Sequence, residues 1–479
     1  MSLFGQFEKI AKANPQKTAV LSRNNVLTFE NFLEMTELLE AGIQQHIPAG
    51  KQTIAFISNR LEYILLMMLV ASRNSYTLLL SDPKTLYDSG VDYDYFVSEF
   101  DVSQQNPGTS IQIDPQWFGA KKPPISTTAL RTEGEAIFCA RTSGSTGQPM
   151  IYPVAEDTYL AGLEFSPEFH DIEPFDTRTY CSTTPNMRWS QNLAFRSLLR
   201  GGSVFFAPIT EKHLPHLIDT YHINFMAITP AFAVKLLGVA NISQYMRSVR
   251  KILLAGAFVS QKLIKQLAEV TDASIILSFG STENNTLTAY TYDPAKSHPN
   301  NYLGEIVDPD FEVAFFDPET RERLEGNEGL LGARHPKSSL ATQYLNTKGD
   351  TRTNAFKDGF FLPGDIIRRE GNALFHLGRS GNVVNISGNK FSVDILEQII
   401  GKIPEIGDVA IFSERDGDDI EKLYLAYTAK NDLSLEYLNK VLKAEMRFAT
   451  IHHAKRFASL PLTPSSKIDR PKVKAAFLA

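Results

Sequence analysis

The stretch 140-ARTSGSTGQPMIYP-153 decides how the rest of the chain is interpreted. Its six consecutive positions 142 to 147 hold two glycines, two serines and two threonines. A packed core has little use for such residues, whereas a glycine-rich turn can wrap successive backbone N–H groups around a phosphate, with hydroxyls as further donors. The stretch therefore predicts a phosphate-binding loop, with a surface turn of small residues as the alternative. It is not the Walker pattern, because it lacks the Gly-Lys-Ser/Thr ending.

Short apolar runs and helical spacings alternate on both sides of this loop. In "TFENFLEMTELLEAGI" (28–43), Thr28 and Glu30 stand at a plausible helix start, and "SQKLIKQLAEV" (260–270) has helical spacing as well. Strand-type runs are "TAVLS" (18–22), "TIAFIS" (53–58), "GGSVFFAP" (201–208), "INFMAITP" (223–230), "RKILLAG" (250–256) and "SIILSFG" (274–280). Such alternation predicts an α/β fold of layered sheets and helices with parallel strand pairing.

A second, smaller unit is predicted after "FHLGRSGN" (375–382). Gly378, Gly381 and Gly388 fall within eleven residues there, which suits a hinge. We therefore expect an N-terminal domain over 1–377, a hinge over 378–382 and a C-terminal domain over 383–479. A chain of 479 residues is also too long for one hydrophobic core, so at least two domains are expected.

Composition narrows the class of protein. Hydrophobic residues make up 43% of the chain and charged residues 21%, as in ordinary globular proteins. Lys and Arg number 48 against 54 Asp and Glu, and this net charge of −6 argues against nucleic acid or an anionic membrane as a partner. Cys139 and Cys181 are too few for a disulfide framework and lack metal-ligand spacing, so a reducing, cytoplasmic compartment is expected.

Membrane and targeting segments are not expected either. The start "MSLFGQFEKI" lacks the basic and apolar stretches of a signal peptide. The longest apolar run, "YILLMMLVA" (63–71), is too short to span a bilayer and is interpreted as a buried helix.

Five motifs in order give the chain a family resemblance. They are "TSGSTGQPM" (142–150), "FGSTEN" (279–284), "DGFFLPGD" (358–365), "LGRSGNVVNISGNKF" (377–391) and "PLTPSSKIDR" (461–470). In this order and spacing they resemble the motifs of the adenylate-forming superfamily, which comprises acyl-CoA synthetases, nonribosomal-peptide adenylation domains and luciferases. The resemblance implies a large N-terminal α/β domain, a small mobile α+β lid, and ATP- and Mg²⁺-dependent activation of a carboxylic acid to an acyl-adenylate.

The resemblance also implies roles for individual residues. Glu283 would hold Mg²⁺, with Thr282 nearby on phosphate, and Lys467 would stabilise the charge that develops between the carboxylate and the α-phosphate. Asp365 would accept hydrogen bonds from the ribose hydroxyls, with Arg379 supporting the same sugar. The remaining nucleotide contacts would come from the phosphate loop (Thr142, Ser143, Gly144, Ser145, Thr146, Gly147) and from the residues around adenine (Gly256, Ala257, Phe279).

Several positions depart from the family pattern. Met150 stands where the phosphate loop usually has lysine, so one positive contact to the leaving pyrophosphate is missing. Gly381 replaces a hinge aspartate or lysine, Asn385 replaces a frequent lysine, and Ser466 replaces the glycine before the catalytic lysine. These departures leave a non-catalytic nucleotide-binding protein open as an alternative.

The acid-binding residues indicate the kind of substrate. In amino-acid-activating relatives, an aspartate in a Phe-Asp pair grips the α-ammonium group, and Met187 and Arg188 of "TPNMRWSQN" occupy that pair here. A cation there would repel an α-amino acid but suits a hydroxyl, a carbonyl or a second carboxylate. By the same alignment the pocket also includes Trp189, Asn192, Leu253, Ala255, Ser278, Thr286 and Leu287. We expect a small polar or aromatic acid; Arg188 turned out to solvent is the alternative.

The sequence leaves two candidate acceptors for the activated acid. Family members usually pass the acyl group to free CoA or to the phosphopantetheine thiol of a carrier protein. The chain ends ten residues after Asp469, with no downstream serine-bearing module, so we expect a stand-alone ligase that loads a separate carrier protein. An acid–CoA ligase is the alternative enzyme.

Overall fold

The computed structural model describes residues 1–22, 25–80, 91–101, 109–119, 136–141, 151–164, 176–207, 213–257, 259–336, 344–345, 355–380, 383–386, 389–415, 421–446, 449–463 and 468–479. Packing divides the chain into two compact units. The first is formed by Met1–Asp293, Val307–Phe311 and Arg334–Phe361, and the second by Pro294–Ile306, Glu312–Ala333 and Leu362–Ala479. The sequence predicted a boundary between a large domain and a mobile lid, whereas these two units are defined by packing alone. The hinge at 378–382 therefore stays a prediction.

The helices follow the spacings seen in the sequence. They are α1 (Leu3–Ala13), α2 (Phe29–Gln44), α3 (Leu61–Asn74), α4 (Glu156–Glu164), α5 (Arg188–Leu199), α6 (Leu214–Thr220), α7 (Pro230–Leu237), α8 (Gln261–Ala268), α9 (Val393–Ile400), α10 (Leu435–Glu445) and α11 (Arg470–Leu478). No helix among the described residues is long and apolar enough to cross a membrane.

The first fourteen strands are β1 (Thr18–Ser22), β2 (Val26–Thr28), β3 (Thr53–Ile57), β4 (Thr77–Leu80), β5 (Tyr95–Ser98), β6 (Ser110–Gln112), β7 (Ile137–Arg141), β8 (Ile151–Ala155), β9 (Arg178–Cys181), β10 (Ser203–Phe206), β11 (Phe225–Ile228), β12 (Lys251–Leu254), β13 (Ser274–Ser281) and β14 (Asn285–Thr291). Those that follow are β15 (Tyr302–Ile306), β16 (Glu312–Phe316), β17 (Arg323–Leu324), β18 (Glu328–Arg334), β19 (Phe356–Lys357), β20 (Phe360–Phe361), β21 (Asp365–Glu370), β22 (Ala373–Arg379), β23 (Val383–Ile386), β24 (Asn389–Ser392), β25 (Ile406–Arg415), β26 (Glu421–Ala429) and β27 (Ile451–Phe457).

The first unit is built on two mainly parallel sheets. One has the order β6-β5-β3-β4-β7-β8, in which only the last pair is antiparallel. The other runs β2-β1-β10-β9-β11-β12-β13-β14, parallel from β1 to β13 with an antiparallel strand at each end. The predicted α/β fold with parallel pairing is confirmed, and every strand-type run singled out in the sequence is a strand of these sheets.

Local sequence signals explain how the helices of this unit begin and pack. Thr28 caps α2 by accepting a hydrogen bond from the backbone N–H of Asn31, whose side chain in turn accepts from the N–H of Thr28. This reciprocal pair satisfies two donors that a helix start leaves open. Helix α3 carries the apolar run 63–71 and is buried on all sides, as predicted, within the core that β3, β4 and α2 share.

The second unit combines antiparallel strands with a small α+β layer. Strands β15, β22, β21, β18, β16 and β17 pair in that order, and β23 and β24 form a separate hairpin. The sheet β25-β26-β27 packs against α9 and α10 through a core that includes Leu396, Ile400, Leu425 and Leu438. This C-terminal layer has the α+β character that the sequence predicted.

Candidate active site

Residues from three of the predicted site segments follow neighbouring parallel strands of the first unit. Strand β9 leads through 182–187 into α5, β12 leads to Gly256 and Ala257, and β13 ends in Phe279–Ser281. In the sheet, β9 pairs with β11, β11 with β12, and β12 with β13. The carboxyl ends of parallel strands meet at one edge, which is where α/β sheets bind their ligands. Gly256 has φ +89°, a conformation that favours glycine.

The motif "FGSTEN" forms a tight hairpin between β13 and β14. Its register shifts between Phe279 and Gly280, where a Cβ would lie 1.9 Å from the backbone oxygen of Asn285, so only glycine fits. The turn is fixed by Ser281, whose hydroxyl accepts from the N–H of Asn284 at 3.0 Å, and Asn285 is left-handed at φ +57°. Local turn chemistry therefore places Glu283 at the tip of the hairpin.

Glu283 is buried at this tip and is held by a tyrosine. Only 5% of the residue is exposed, and the Tyr344 hydroxyl donates to Oε1 at 2.8 Å. Burial raises the pKa of Glu283, and the hydrogen bond from Tyr344 opposes that shift without cancelling it. The neighbouring carbonyl of Thr282 accepts from the Tyr152 hydroxyl at 2.7 Å. Thr282 and Glu283 thus each accept a hydrogen bond from a tyrosine, the buried Tyr152 and the half-buried Tyr344.

The donor set around Glu283 fits the metal that the family resemblance implies. Mg²⁺ is usually held by one or two carboxylates together with substrate phosphates, and one buried carboxylate is what this hairpin supplies. A carboxylate whose ionised form is disfavoured by burial is also one whose charge a bound cation would stabilise.

Tyr344 and Tyr152 were missed in the sequence. Tyr152 stands just after the phosphate loop, and Tyr344 lies in "TQYLN" (342–346), but neither position distinguishes a brace from an ordinary core tyrosine. The hydrogen bonds of these phenols span 130 and 61 residues, a separation that leaves no local pattern.

Asp365 forms an ion-paired cluster within the second unit. Strands β21 and β22 place Asp365 opposite Arg379, and Asp365 Oδ1 accepts from Arg379 Nε at 3.0 Å and from His376 Nε2 at 3.1 Å. Burial opposes ionisation of Asp365, but the hydrogen bond from His376 and the charge of Arg379 outweigh it and lower its pKa. The two residues expected on ribose are therefore in contact, and His376 is a third member that the sequence interpretation missed.

Arg188 is buried, so the alternative that turned it out to solvent is wrong. The residue is 2% exposed, and its guanidinium carbon lies 4.8 Å from the centre of the Tyr159 ring. Its Nε and Nη2 atoms have no hydrogen-bond partner among the described residues. The charge therefore lies in the interior of the first unit, where the face of the Tyr159 ring is one of its neighbours.

The other predicted acid-binding residues fall into separate environments. Asn192, one turn after Arg188 on α5, donates to Asn285 Oδ1 at 3.2 Å. Trp189 packs instead with Leu253 in an apolar cluster with Leu193, Phe225, Ala227 and Ile276. Among the rest, Leu287 is buried, Met187, Ala255, Ser278 and Thr286 are half-buried, and Ser278 lies opposite Ala289 in the β13–β14 pair.

The structure does not describe every predicted site residue. Thr142, Ser143, Gly144, Ser145, Thr146, Gly147, Met150, Gly381, Ser466 and Lys467 lie outside the described residues, and Asn385 lies within β23. The phosphate-loop and lysine roles therefore stay predictions.

Several known proteins with similar sequences are synthase subunits much longer than this chain. The chain is 23% identical to a component of the linear gramicidin synthase of Brevibacillus parabrevis, an alignment that covers 98% of this chain and 10% of that protein. The chain thus spans a small part, between 10% and 19%, of the length of the first curated relatives that it matches.

Solved structures with the same fold are stand-alone enzymes. The amide bond synthetase McbA from Marinactinospora thermotolerans aligns with a TM-score of 0.84 at 18% identity, over 99% of both chains. O-succinylbenzoate coenzyme A synthetase from Bacillus subtilis, in complex with AMP, aligns with a TM-score of 0.81 at 16% identity, over 99% of this chain and 98% of that one. The family model of AMP-binding enzymes matches residues 95–345, which is more than half of the chain, and together with the hairpin that carries Glu283 it establishes that this protein belongs to the AMP-binding, adenylate-forming enzymes.

Proposed function

We propose that this protein is an ATP-dependent ligase that activates a small carboxylic acid as its acyl-adenylate and passes the acyl group to a thiol. The observation that carries the proposal is Glu283, a buried carboxylate at the tip of a glycine-dependent hairpin, braced by Tyr344. A carboxylate with no structural ion pair of its own among the described residues is costly to bury, which is understandable where it serves a ligand.

In the proposed reaction, an oxygen of the acid attacks the α-phosphorus of ATP and the bond to pyrophosphate breaks. Little covalent chemistry falls to the protein, so positioning and charge stabilisation dominate. Bound Mg²⁺ would neutralise charge on the phosphates. Glu283 would hold the metal, Lys467 would stabilise charge between the carboxylate and the α-phosphate, and the loop 142–147 would hold the β- and γ-phosphates.

The nucleoside contacts are proposed from the same motifs. Phe279 would lie against adenine, with Gly256 and Ala257 along the base, and Asp365 would accept from the ribose hydroxyls. The lowered pKa of Asp365 supports this role, because the ionised carboxylate is the stronger acceptor for two hydroxyls. Arg379 holds that carboxylate by donating to its Oδ1 at 3.0 Å.

The proposed acid is small, aromatic or hydroxylated, and not an α-amino acid. The support is Arg188, a buried cation at the position where an ammonium group would otherwise be gripped. A neighbour of the same fold acts on o-succinylbenzoate, which agrees with an aromatic substrate. Trp189 and Leu253 supply an apolar surface suited to a ring.

We propose a separate acyl or peptidyl carrier protein as the acceptor, with CoA as the second candidate. Peptide synthases among the relatives favour the first and the coenzyme A synthetase favours the second, while the amide bond synthetase shows that the same fold also serves other acceptors. A cytoplasmic location is part of the same proposal.

The decisive experiment is acid-dependent ATP–pyrophosphate exchange with a panel of acids. Exchange is expected with the parent protein and should be lost in Lys467→Ala, whereas Lys472→Ala, an exposed lysine five residues away, should behave like the parent. Thiol transfer from preformed adenylate should survive Lys467→Ala. A parent protein that binds ATP but exchanges with no acid would instead be a nucleotide-binding homologue without activity.

Thioester formation then separates the two thiols. The parent protein is incubated with ATP, an accepted acid and either CoA or a phosphopantetheine-bearing carrier protein, and the thioester is detected by mass. A carrier-protein thioester is expected, and a CoA thioester alone would establish the second candidate.

A further inference from the structure

Arg188 lies in a polar cluster with Asn192, Tyr159 and Asn285, in which several buried donors and acceptors have no hydrogen-bond partner among the described residues. Arg188 and Asn192 lie one turn apart on α5, and Tyr159 and Gly162 lie one turn apart on α4. Asn285 connects the two helices, because it accepts from Asn192 and its amide nitrogen would lie 2.6 Å from a Cβ at Gly162. Five atoms of this cluster have no hydrogen-bond partner among the described residues: Arg188 Nε and Nη2, Tyr159 Oη, Asn192 Oδ1 and Asn285 Nδ2.

The two unpartnered atoms of Arg188 share one edge of its planar guanidinium. Nε–H and the Nη2–H next to it point the same way, which is the fork that a carboxylate fills with two parallel hydrogen bonds. A single hydroxyl or carbonyl offers one uncharged oxygen to these two donors, whereas a carboxylate offers a charged oxygen to each of them.

The charge of Arg188 has no ion-pair partner among the described residues either. Glu283 is within its electrostatic reach, but Glu283 Oε1 is bonded to Tyr344, and the described residues make no ion pair with Arg188. The Tyr159 ring compensates only part of the cost of burying the cation. A neutral ligand would leave this charge unbalanced, whereas an anion would balance it.

We infer that Arg188 binds a second carboxylate of the substrate, so that the activated acid is a dicarboxylic acid whose other end stays ionised in the cluster. This inference rests on the proposed function and names its substrate class. It also explains why the position of Arg188 excludes an α-amino acid, since an ammonium group would meet an unneutralised guanidinium.

The test compares acids that differ only at the second group. Pyrophosphate exchange is measured with sets such as 4-carboxybenzoate, 4-carbamoylbenzoate and 4-hydroxybenzoate, and glutarate with its monoamide, so that ring and chain are both represented. In the parent protein the dicarboxylate of at least one set should exceed its amide by about tenfold or more in kcat/KM. Arg188→Met, which keeps the volume, should reduce that ratio to about one.

Two controls make the result specific. Arg250→Met removes an exposed arginine of the same unit, just before β12, and should leave the ratio unchanged. Arg188→Lys keeps the charge without the fork and should retain only part of the preference. Exchange that is faster with the hydroxyl or amide member in every set would overturn the inference, as would a dicarboxylate preference that survives Arg188→Met.

Failure of the proposed function gives a different pattern. If no acid supports exchange, the ligase proposal fails, and the inference is then judged by binding alone. A dicarboxylate that raises the Tm of the parent protein but not of Arg188→Met would support it, and equal Tm values with all members of every set would overturn it.

Discussion

Arg188 in the first unit is buried and Arg470 in the second is half-buried, but the hydrogen bonds of their guanidinium groups differ. Arg470 Nη1 and Nη2 donate to Glu397 Oε1 and Oε2, each at 2.6 Å, so that its fork is filled. Glu397 in turn accepts from the N–H of Ile411 at 2.6 Å. Arg188 has an equally suitable fork that no described residue fills.

The two arginines separate charge that stabilises the fold from charge that is available to a ligand. The Glu397–Arg470 pair ties α11, which directly follows the lysine motif, to α9. Arg188 and Glu283 are both buried in the first unit, and neither forms an ion pair with a described residue. Because an unpaired buried charge is costly, its retention indicates use rather than support.

The largest effect is expected from Glu283→Gln on catalysis. Loss of the metal-binding carboxylate should lower pyrophosphate exchange about 100-fold or more. The Tm should stay equal or rise, because burial disfavours the ionised carboxylate and the amide carries no charge. Exchange kinetics and thermal unfolding of the same preparation check both halves. A large drop in Tm with unchanged exchange would mean that Glu283 stabilises the fold and does not hold the metal.

The comparison is tested directly by stability measurements on Glu397→Ala and Arg188→Met. Removing Glu397 takes away the bidentate partner of Arg470 and the acceptor of the Ile411 N–H, although Arg470 Nη1 still donates to the carbonyl of Ile411 at 3.1 Å. The free energy of unfolding should therefore fall by about 2–3 kcal/mol, somewhat less than for a fully buried pair. Arg188→Met should be neutral or stabilising, since it removes an unneutralised buried charge. Urea unfolding followed by circular dichroism measures both, and equal destabilisation by the two changes would contradict the distinction.

Asp365→Asn should give a pH-dependent loss of stability. The folded-state pKa of Asp365 lies below its usual 3.8, so the ionised group stabilises the fold above about pH 3.8, and this contribution is lost as the pH falls through the lowered pKa. At pH 7 the variant should be less stable by about 1–2 kcal/mol. The gap in urea midpoint between parent and variant should be similar at pH 7 and pH 5 and should become smaller at pH 3. A gap that persists unchanged at pH 3 would mean that charge is not its cause.

The smallest effect is expected from Tyr344→Phe. Without the phenol, Glu283 loses one hydrogen bond and is less well held, so the Mg²⁺ concentration for half-maximal exchange should rise about three- to tenfold. The rate at saturating Mg²⁺ should change little. Tyr152→Phe is the matched control, because it frees a backbone carbonyl of Thr282 instead of the carboxylate and should lower stability without shifting the Mg²⁺ requirement. An equal increase in the Mg²⁺ requirement of both variants would mean that the hydrogen bond from Tyr344 to Glu283 has no specific effect on metal binding.

Much of the fold could be predicted because its signals are local. Alternating apolar runs predicted the parallel strands β1, β3 and β10–β13, since strands buried on both faces read as short continuous apolar stretches. Thr28 and Glu30 predicted the start of α2, and the structure has Thr28 as the N-cap and Glu30 in the first turn. The two compact units were harder to foresee, because residues 294–306 and 312–333 pack with the C-terminal part of the chain across a long sequence separation.

Motif order and residue identity are properties of short stretches, so the amino-acid sequence was enough to indicate the family and the chemical types of the site residues. The burial of Arg188 with an unfilled fork, the hydrogen bond from Tyr344 to Glu283 and the contact of His376 with Asp365 are seen only in the folded chain. Burial and hydrogen-bond satisfaction depend on which distant segments meet, and no spacing along the chain encodes whether a donor finds its acceptor in the protein or receives one from the substrate.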